Sequence, residues 1–216
     1  MSIDAIIFDL DGTLLNSIGD IAVCGNEALA SMGFPLLTVE EFKTHVGDGM
    51  VGLARKVLPP GKRDEATVGT FLEIYRALYS RKWHETTVPY DGIADVLGKL
   101  RARGIPLAVL SNKRDEFTKA CVDRLLPAGT FQEVRGESEI TPQKPDPRGA
   151  LTVAQSLGVE PQRCLLVGDS EVDAETARRA GMEFVGVEWG YRSRMELEKA
   201  GARKLVQAPN QLLEYV

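Results

Sequence analysis

The strongest constraint on this chain is a set of short apolar runs, each closed by polar residues: Ile3 to Phe8, Pro106 to Leu110, Cys164 to Gly168 and Glu183 to Val187. The first run is continuous rather than alternating, which suits a strand buried on both faces. Stretches of helical periodicity separate the runs, and repeated strand-helix alternation predicts an α/β fold built on a doubly wound parallel sheet. Helix punctuation agrees. Asp91 is placed to cap a helix that ends before Gly104, Asp146-Pro147 to start one that ends before Gly158, and Gly181 to terminate a third.

Between Asn16 and about Glu85 the rhythm breaks, because only helical patterns occur. Apolar positions recur at helical spacing through Ile18 to Met32, Met50 to Leu58 and Phe71 to Leu78, and Thr38 with Glu41 forms a candidate capping box. The expectation is a core of residues 1–15 and 86–216 with a helical cap inserted at 16–85. Inserted straight after the first strand, such a cap would sit over the carboxyl end of the sheet, where open α/β sheets bind ligands. The tail from Gln211 reads as a short closing helix.

With 216 residues, 44% hydrophobic and 26% charged, the chain can bury a core and falls outside the disordered class. A net charge of −5 argues against nucleic acid as a partner and favours a small one. Cys24, Cys121 and Cys164 form no CxxC pair and read as reduced, buried thiols. The chain starts on a strand-like run, and no apolar stretch has bilayer-spanning length; the expectation is a cytoplasmic protein, monomer or homodimer, with no membrane partner.

Asp9 and Asp11 flank Leu10 just past the first strand, and Gly12 permits a tight turn beside them. A calcium loop is excluded: Leu14 stands where that loop needs Gly, and Asp20 where it needs Glu. Ser111 and Asn112 follow the second run, offering a hydroxyl, an amide and backbone N–H groups near the start of the next helix. Lys144 lies in the proline-framed loop Thr141-Pro142-Gln143-Lys144-Pro145, which would aim its ammonium. Asp169 and Asp173, four apart after the third run, would share a helix face, and like charges there call for a cation. Magnesium, which takes one or two carboxylates plus waters and a substrate phosphate, fits that provision. All these groups follow parallel strands and therefore converge on one end of one sheet.

The phrases IIFDLDGTLL, VLSNK, QKPDP and LLVGDSEVD, in that order, resemble the haloacid dehalogenase superfamily, specifically its phosphatases with a helical cap after the first motif. The resemblance spans nearly the whole chain. It implies a doubly wound, Rossmann-like parallel sheet core with an inserted all-helical cap domain, and a magnesium-dependent phosphomonoester hydrolase working through an aspartyl-phosphate. Asp9 would be the nucleophile and Asp11 the general acid and base, protonated at the outset. Ser111 and Lys144 would hold the phosphate, with Asn112 nearby. Asp9, Asp169 and the backbone carbonyl of Asp11 would bind Mg2+, supported by Asp173. Dehalogenases of the superfamily lack the second aspartate, so Asp9-Leu10-Asp11 points to phosphoryl transfer.

The segments KTHVGDGMVGLARKVL and VEWGYRSRMELEKAGARKLVQAPNQL, and LLNSIGDIAVCGNEALASMGFP near the start, resemble phosphoglycolate phosphatases, which implies 2-phosphoglycolate or a similar small phosphometabolite. Lys43, His45, Arg55 and Arg114 are candidate cations for a substrate carboxylate. Gly47 to Gly52 spells GxGxxG but follows no predicted strand, so it reads as a cap turn. Related pyrophosphatases and nucleotidases share the core. A phosphosugar mutase would carry a cap arginine and a histidine where Met50 and Ile21 stand. A non-catalytic binding protein would have lost a member of the set Asp9, Asp11, Lys144 and Asp169, and none is lost.

Overall fold

A computed structural model describes residues 3–216. In chain order its elements are β1 (Ala5–Phe8), β2 (Leu15–Asn16), α1 (Ile18–Ser31), α2 (Val39–His45), α3 (Gly49–Val57), α4 (Glu65–Lys82), β3 (Val88–Pro89), α5 (Ile93–Ala102) and β4 (Leu107–Arg114). There follow α6 (Asp115–Leu125), β5 (Glu133–Glu137), α7 (Arg148–Leu157), β6 (Cys164–Gly168), α8 (Glu171–Ala180), β7 (Glu183–Val187), α9 (Arg194–Lys199) and β8 (Leu205–Val206). The chain divides into two compact units, one running up to Leu15 and from Pro89 to Val216, the other Asn16–Val88. Among the described residues no helix is long and apolar enough to cross a membrane.

The first unit is an α/β core on a six-stranded sheet of order β5-β4-β1-β6-β7-β8, parallel throughout. Strand β1 is central because both its faces are apolar: Ala5, Ile6, Ile7 and Phe8 are fully buried. Each such large side chain contributes about 1.5–3 kcal/mol. Ala5 and Ile7 pack with Ala150, Val153 and Ala154 of α7 and with Ala177 of α8, while Phe8 meets Phe131 edge-on at 6.4 Å. β4 and β6 flank β1 on opposite sides, with Val109 and Val167 both level with Phe8. The strand order reverses at β1, the switch point where a parallel sheet opens a crevice beyond its carboxyl ends.

The second unit packs α1 against α4 and α2, and α3 against α4 and α2. Phe71, Tyr75 and Tyr79 of α4 stack at 5.9 and 5.4 Å, and Phe42 of α2 sits so close to α1 that only glycine fits at Gly25. The capping box forms: Glu41 N–H donates to Thr38 Oγ1 at 3.2 Å and Thr38 N–H to Glu41 Oε2 at 2.7 Å. Buried Asp20 accepts bonds from the backbone N–H and hydroxyl of both Thr86 and Thr87.

The structure adds to or adjusts the sequence reading at four places. The second run extends beyond its apolar residues: β4 continues through Ser111 and Asn112 to Arg114, and α6 begins at Asp115. β5 was not foreseen because its sequence, EVRGE, is an edge strand with no apolar run. Gly92, not Asp91, stands at the start of α5, its φ of 83° setting the left-handed junction that the turn requires. The tail forms a 3₁₀ segment, Pro209–Tyr215.

The extension of β4 is bulged. Leu110 pairs with Arg135 and Arg114 with Glu137, so four steps along β4 oppose two along β5. A Cβ on Gly136 would lie 2.5 Å from Lys113 O and from Asp115 Cα, both backbone atoms. Gly136→Ala is therefore expected to cost about 1–3 kcal/mol through forced backbone shifts, lowering the melting temperature by roughly 2–4 °C per kcal/mol. An unchanged thermal melting curve would show that the bulge has room to yield.

Candidate active site

Asp9 leaves β1 with its N–H bonded to Val167 O at 2.9 Å. The chain then turns around the carbonyl of Leu10, which accepts from the N–H groups of Thr13, Leu14 and Leu15. Gly12, at φ 86°, makes the turn, and a Cβ there would collide with the carboxylate of Asp169. Gly190 is pressed against Asp169 in the same way. Asp169 is thereby wedged between two glycines, and its Oδ2 accepts from Tyr191 N–H at 2.7 Å while Thr13 Oγ1 donates to Oδ1 at 3.4 Å.

Lys144 joins the two acidic turns. Its side chain is 3% exposed, and Nζ lies 2.7 Å from Asp9 Oδ1 and 2.6 Å from Asp173 Oδ1. The other oxygen of Asp173 accepts from the N–H and hydroxyl of Ser170, at 3.2 and 2.6 Å, closing the capping box that starts α8. Asn112 holds Lys144 from behind: Lys144 N–H donates to Asn112 Oδ1 at 2.6 Å, and Asn112 Nδ2 donates to Lys144 O at 3.0 Å. Both ends of the Asn112 amide thus bond the Lys144 backbone. Ser111, two residues past Val109 on β4, is buried, and its Oγ accepts from Lys113 N–H at 3.2 Å.

Oxygens of Asp9, Asp169 and Asp173 lie within 4.8 Å of one another. Burial is the largest cause pushing the Asp9 carboxyl up to about 7; Lys144 pulls it down, and Asp173 and Asp11 push it further up. Burial, then Asp9 and Asp173, hold Asp169 well above the usual carboxylate range against the opposing Tyr191 N–H and Arg192. Burial also works against the charge on Lys144, but Asp173 and Asp9 outweigh it and raise its value. One ammonium does not neutralise three crowded carboxylates. The all-oxygen, hard-donor set suits magnesium, so the residues present fit the expected ion.

Lys113 was not singled out from the sequence. Its ammonium donates to both oxygens of Asp11, at 2.9 and 2.7 Å, which sets a cation against the residue expected to start protonated. It stands inside the phrase VLSNK, so the signal was present. Thr13, Gly190 and Tyr191 act through a hydroxyl or main chain and left no comparable signal. Tyr90 was also missed; burial, then Asp169 and Asp11, push its phenol up, keeping it a neutral hydroxyl.

The structure thus brings Asp9, Asp11, Asn112, Lys144, Asp169 and Asp173 together at the carboxyl edge of β1, β4 and β6. Lys43, His45 and Arg55 belong to the helical unit. Lys43 pairs with Glu40 at 2.8 Å and Arg55 with Glu65 at 2.6 Å. Burial, then Lys56, pushes the His45 imidazole down. Arg114 pairs with Glu137 at 3.4 Å, and Gly49 opens α3 within the GxGxxG phrase, with no strand before it.

The sequence profile of the haloacid dehalogenase-like hydrolases matches residues 6–187. A phosphoglycolate phosphatase of Pseudomonas putida is 35% identical over 190 residues, covering 86% of this chain and 70% of that protein. One of Aquifex aeolicus is 35% identical over 186 residues, 86% and 85% of the two chains. The crystal structure of a provisionally assigned phosphoglycolate phosphatase from Lactobacillus delbrueckii subsp. bulgaricus superposes with a TM-score of 0.94 at 32% identity, covering 99% of this chain and 98% of that one. Relatives and fold lead to the same place as the acidic cluster: the chain belongs to the haloacid dehalogenase-like hydrolases, and it is a phosphatase.

Proposed function

We propose that this phosphatase hydrolyses a small phosphomonoester, 2-phosphoglycolate, through a phosphoryl group carried on Asp9, and that it requires magnesium. The observation that carries the chemistry is the buried ammonium of Lys144 between Asp9 and Asp173, beside the unneutralised carboxylate of Asp169.

An aspartate approaching a phosphate brings two anions together, at about 4 kcal/mol per unit charge pair at 4 Å and an effective dielectric of ~20. Lys144 offsets part of that repulsion at Asp9 and, with Ser111, would bind the phosphate oxygens. A magnesium ion held by Asp9, Asp169 and the Asp11 carbonyl, with Asp173 in support, would supply two further positive charges to the phosphoryl oxygens. In the first step an oxygen of Asp9 bonds to phosphorus as the bond to the substrate alkoxide breaks, and Asp11 delivers a proton to that alkoxide. In the second, Asp11 takes a proton from water, the water oxygen bonds to phosphorus, and the bond to Asp9 breaks, returning the free carboxylate and inorganic phosphate.

The substrate assignment draws on the relatives, which carry that activity in name, and on the cationic residues of the helical unit. We assign residues 16–85 as the substrate-selecting cap, with Lys43, His45 and Arg55 as candidates for the substrate carboxylate. The pairs Lys43–Glu40 and Arg55–Glu65 are surface ion pairs worth only about 0–1 kcal/mol, so either cation can be exchanged to a substrate at little cost. The free, buried cysteines Cys24, Cys121 and Cys164 support a reducing compartment, the cytoplasm.

Steady-state phosphate release from a panel of 2-phosphoglycolate, sugar phosphates, nucleotides and pyrophosphate tests the reading. Release is expected to require magnesium, to fall to background in Asp9→Asn, and to show its highest kcat/KM with 2-phosphoglycolate. Comparable kcat/KM across the panel would remove the substrate assignment, and full activity of Asp9→Asn would remove the mechanism.

Magnesium binding should also depend on pH. The Asp9 carboxyl rises from an ordinary 3.8 to about 7 in the fold. Its contribution to stability is therefore complete below about 4 and is lost as pH climbs through 7. Magnesium binds the ionised form and counters that loss, so the rise in melting temperature on adding saturating magnesium should be small at pH 5 and several degrees at pH 8. An equal rise at both pH values would contradict the proposed ligand set.

A further inference from the structure

We infer that Lys113 is a positioning residue for Asp11, holding its carboxylate in the orientation from which it delivers a proton to the departing alkoxide. Two buried lysines divide the site between them: Lys144 bonds Asp9 and Asp173, whereas Lys113 bonds both oxygens of Asp11. Because one ammonium reaches both oxygens, turning the carboxylate about its own bond would break at least one of the two contacts. The Lys113 side chain is 5% exposed, a depth at which lysine is almost never found unless paired.

The surroundings aim that side chain. Lys113 N–H donates to Ser111 Oγ at 3.2 Å, and Lys113 O accepts from Thr118 Oγ1 at 3.0 Å. Gly136 of β5 approaches so closely that a Cβ there would stand 2.5 Å from Lys113 O. The β4 bulge, four residues against two, is what turns the strand at this point. A backbone held at three places fixes where the lysine stem starts, and its ammonium ends on Asp11. The same Ser111 hydroxyl that accepts from Lys113 is the one placed for phosphate, so the bulge orients a phosphate ligand and the support of the proton donor together.

The role rests on the phosphatase chemistry proposed above, in which Asp11 protonates the leaving group, and leaving-group dependence separates the two. An alkyl phosphate such as 2-phosphoglycolate needs that proton, whereas p-nitrophenyl phosphate releases a phenolate that departs without one. Lys113→Met is expected to lower the ratio of kcat on the alkyl ester to kcat on the aryl ester by ~10–100-fold, within the span of general acid catalysis, with KM for both nearly unchanged. Asp11→Asn should lower the same ratio, and Lys113→Met added to it should lower it little further. Lys113→Arg, which keeps a cation with parallel donors, should recover much of the ratio. An unfolded fraction lowers both rates alike and leaves the ratio intact; if Lys113→Met does not purify, Lys113→Gln is measured in its place. Equal losses on the two esters, or a change confined to KM, would overturn the positioning role while leaving the phosphatase reading standing. Wild-type protein inactive on both esters would overturn that reading and the role with it.

Discussion

Everything at the carboxyl edge of the sheet depends on one buried ammonium. Without Lys144, Asp9 and Asp173 would face each other as anions in a water-poor crevice, where unpaired charge costs several kcal/mol. With it, the turn after β1 and the turn after β6 are tied to one point, and the 141–145 loop is tied to both. Asn112 extends the connection to β4 by gripping the lysine's backbone on both sides. Three strands adjacent in the sheet but remote in sequence are thus joined above their ends by hydrogen bonds and charge.

The parallel sheet makes this arrangement possible. Because every strand points the same way, each loop that follows a strand emerges at the same edge, and reversal of strand order at β1 leaves a gap between the crossovers beyond it. Close backbone approach does the rest. Gly12 and Gly190 let two loops close on Asp169, and neither position has room for a side chain. The carboxylate is fixed by steric exclusion as much as by its bonds to Tyr191 and Thr13.

Much of this was legible in the sequence because buried strands and the charged turns after them are loud signals. Asp9, Lys144, Asp169 and Asp173 each stand just beyond an apolar run or between prolines, and the structure gathers them as the topology demands. Other features depend on register, which no short pattern encodes. A strand is not expected to continue through Ser-Asn-Lys-Arg; the bulge against β5 carries it there. β5 itself is half-exposed and charged, so it has no apolar periodicity to read. The grip of Asn112 on the Lys144 backbone spans 32 residues of sequence. Lys113 stands within the phrase VLSNK, but its pairing with Asp11 joins residues 102 apart and no local pattern encodes it.

Asp173 carries a consequence of its own. One of its oxygens is occupied by the ammonium of Lys144 and the other by the first turn of α8. The joint between scaffold and chemistry is therefore a single carboxyl group, with no spacer to absorb movement. Helix ends are where opening begins in a folded protein, at far less free energy than global unfolding. Were that turn to open, Asp173 would leave with it and Lys144 would lose one of its two anchors. Scaffold and site cannot shift independently here: any displacement of the start of α8 moves the carboxylate that anchors Lys144.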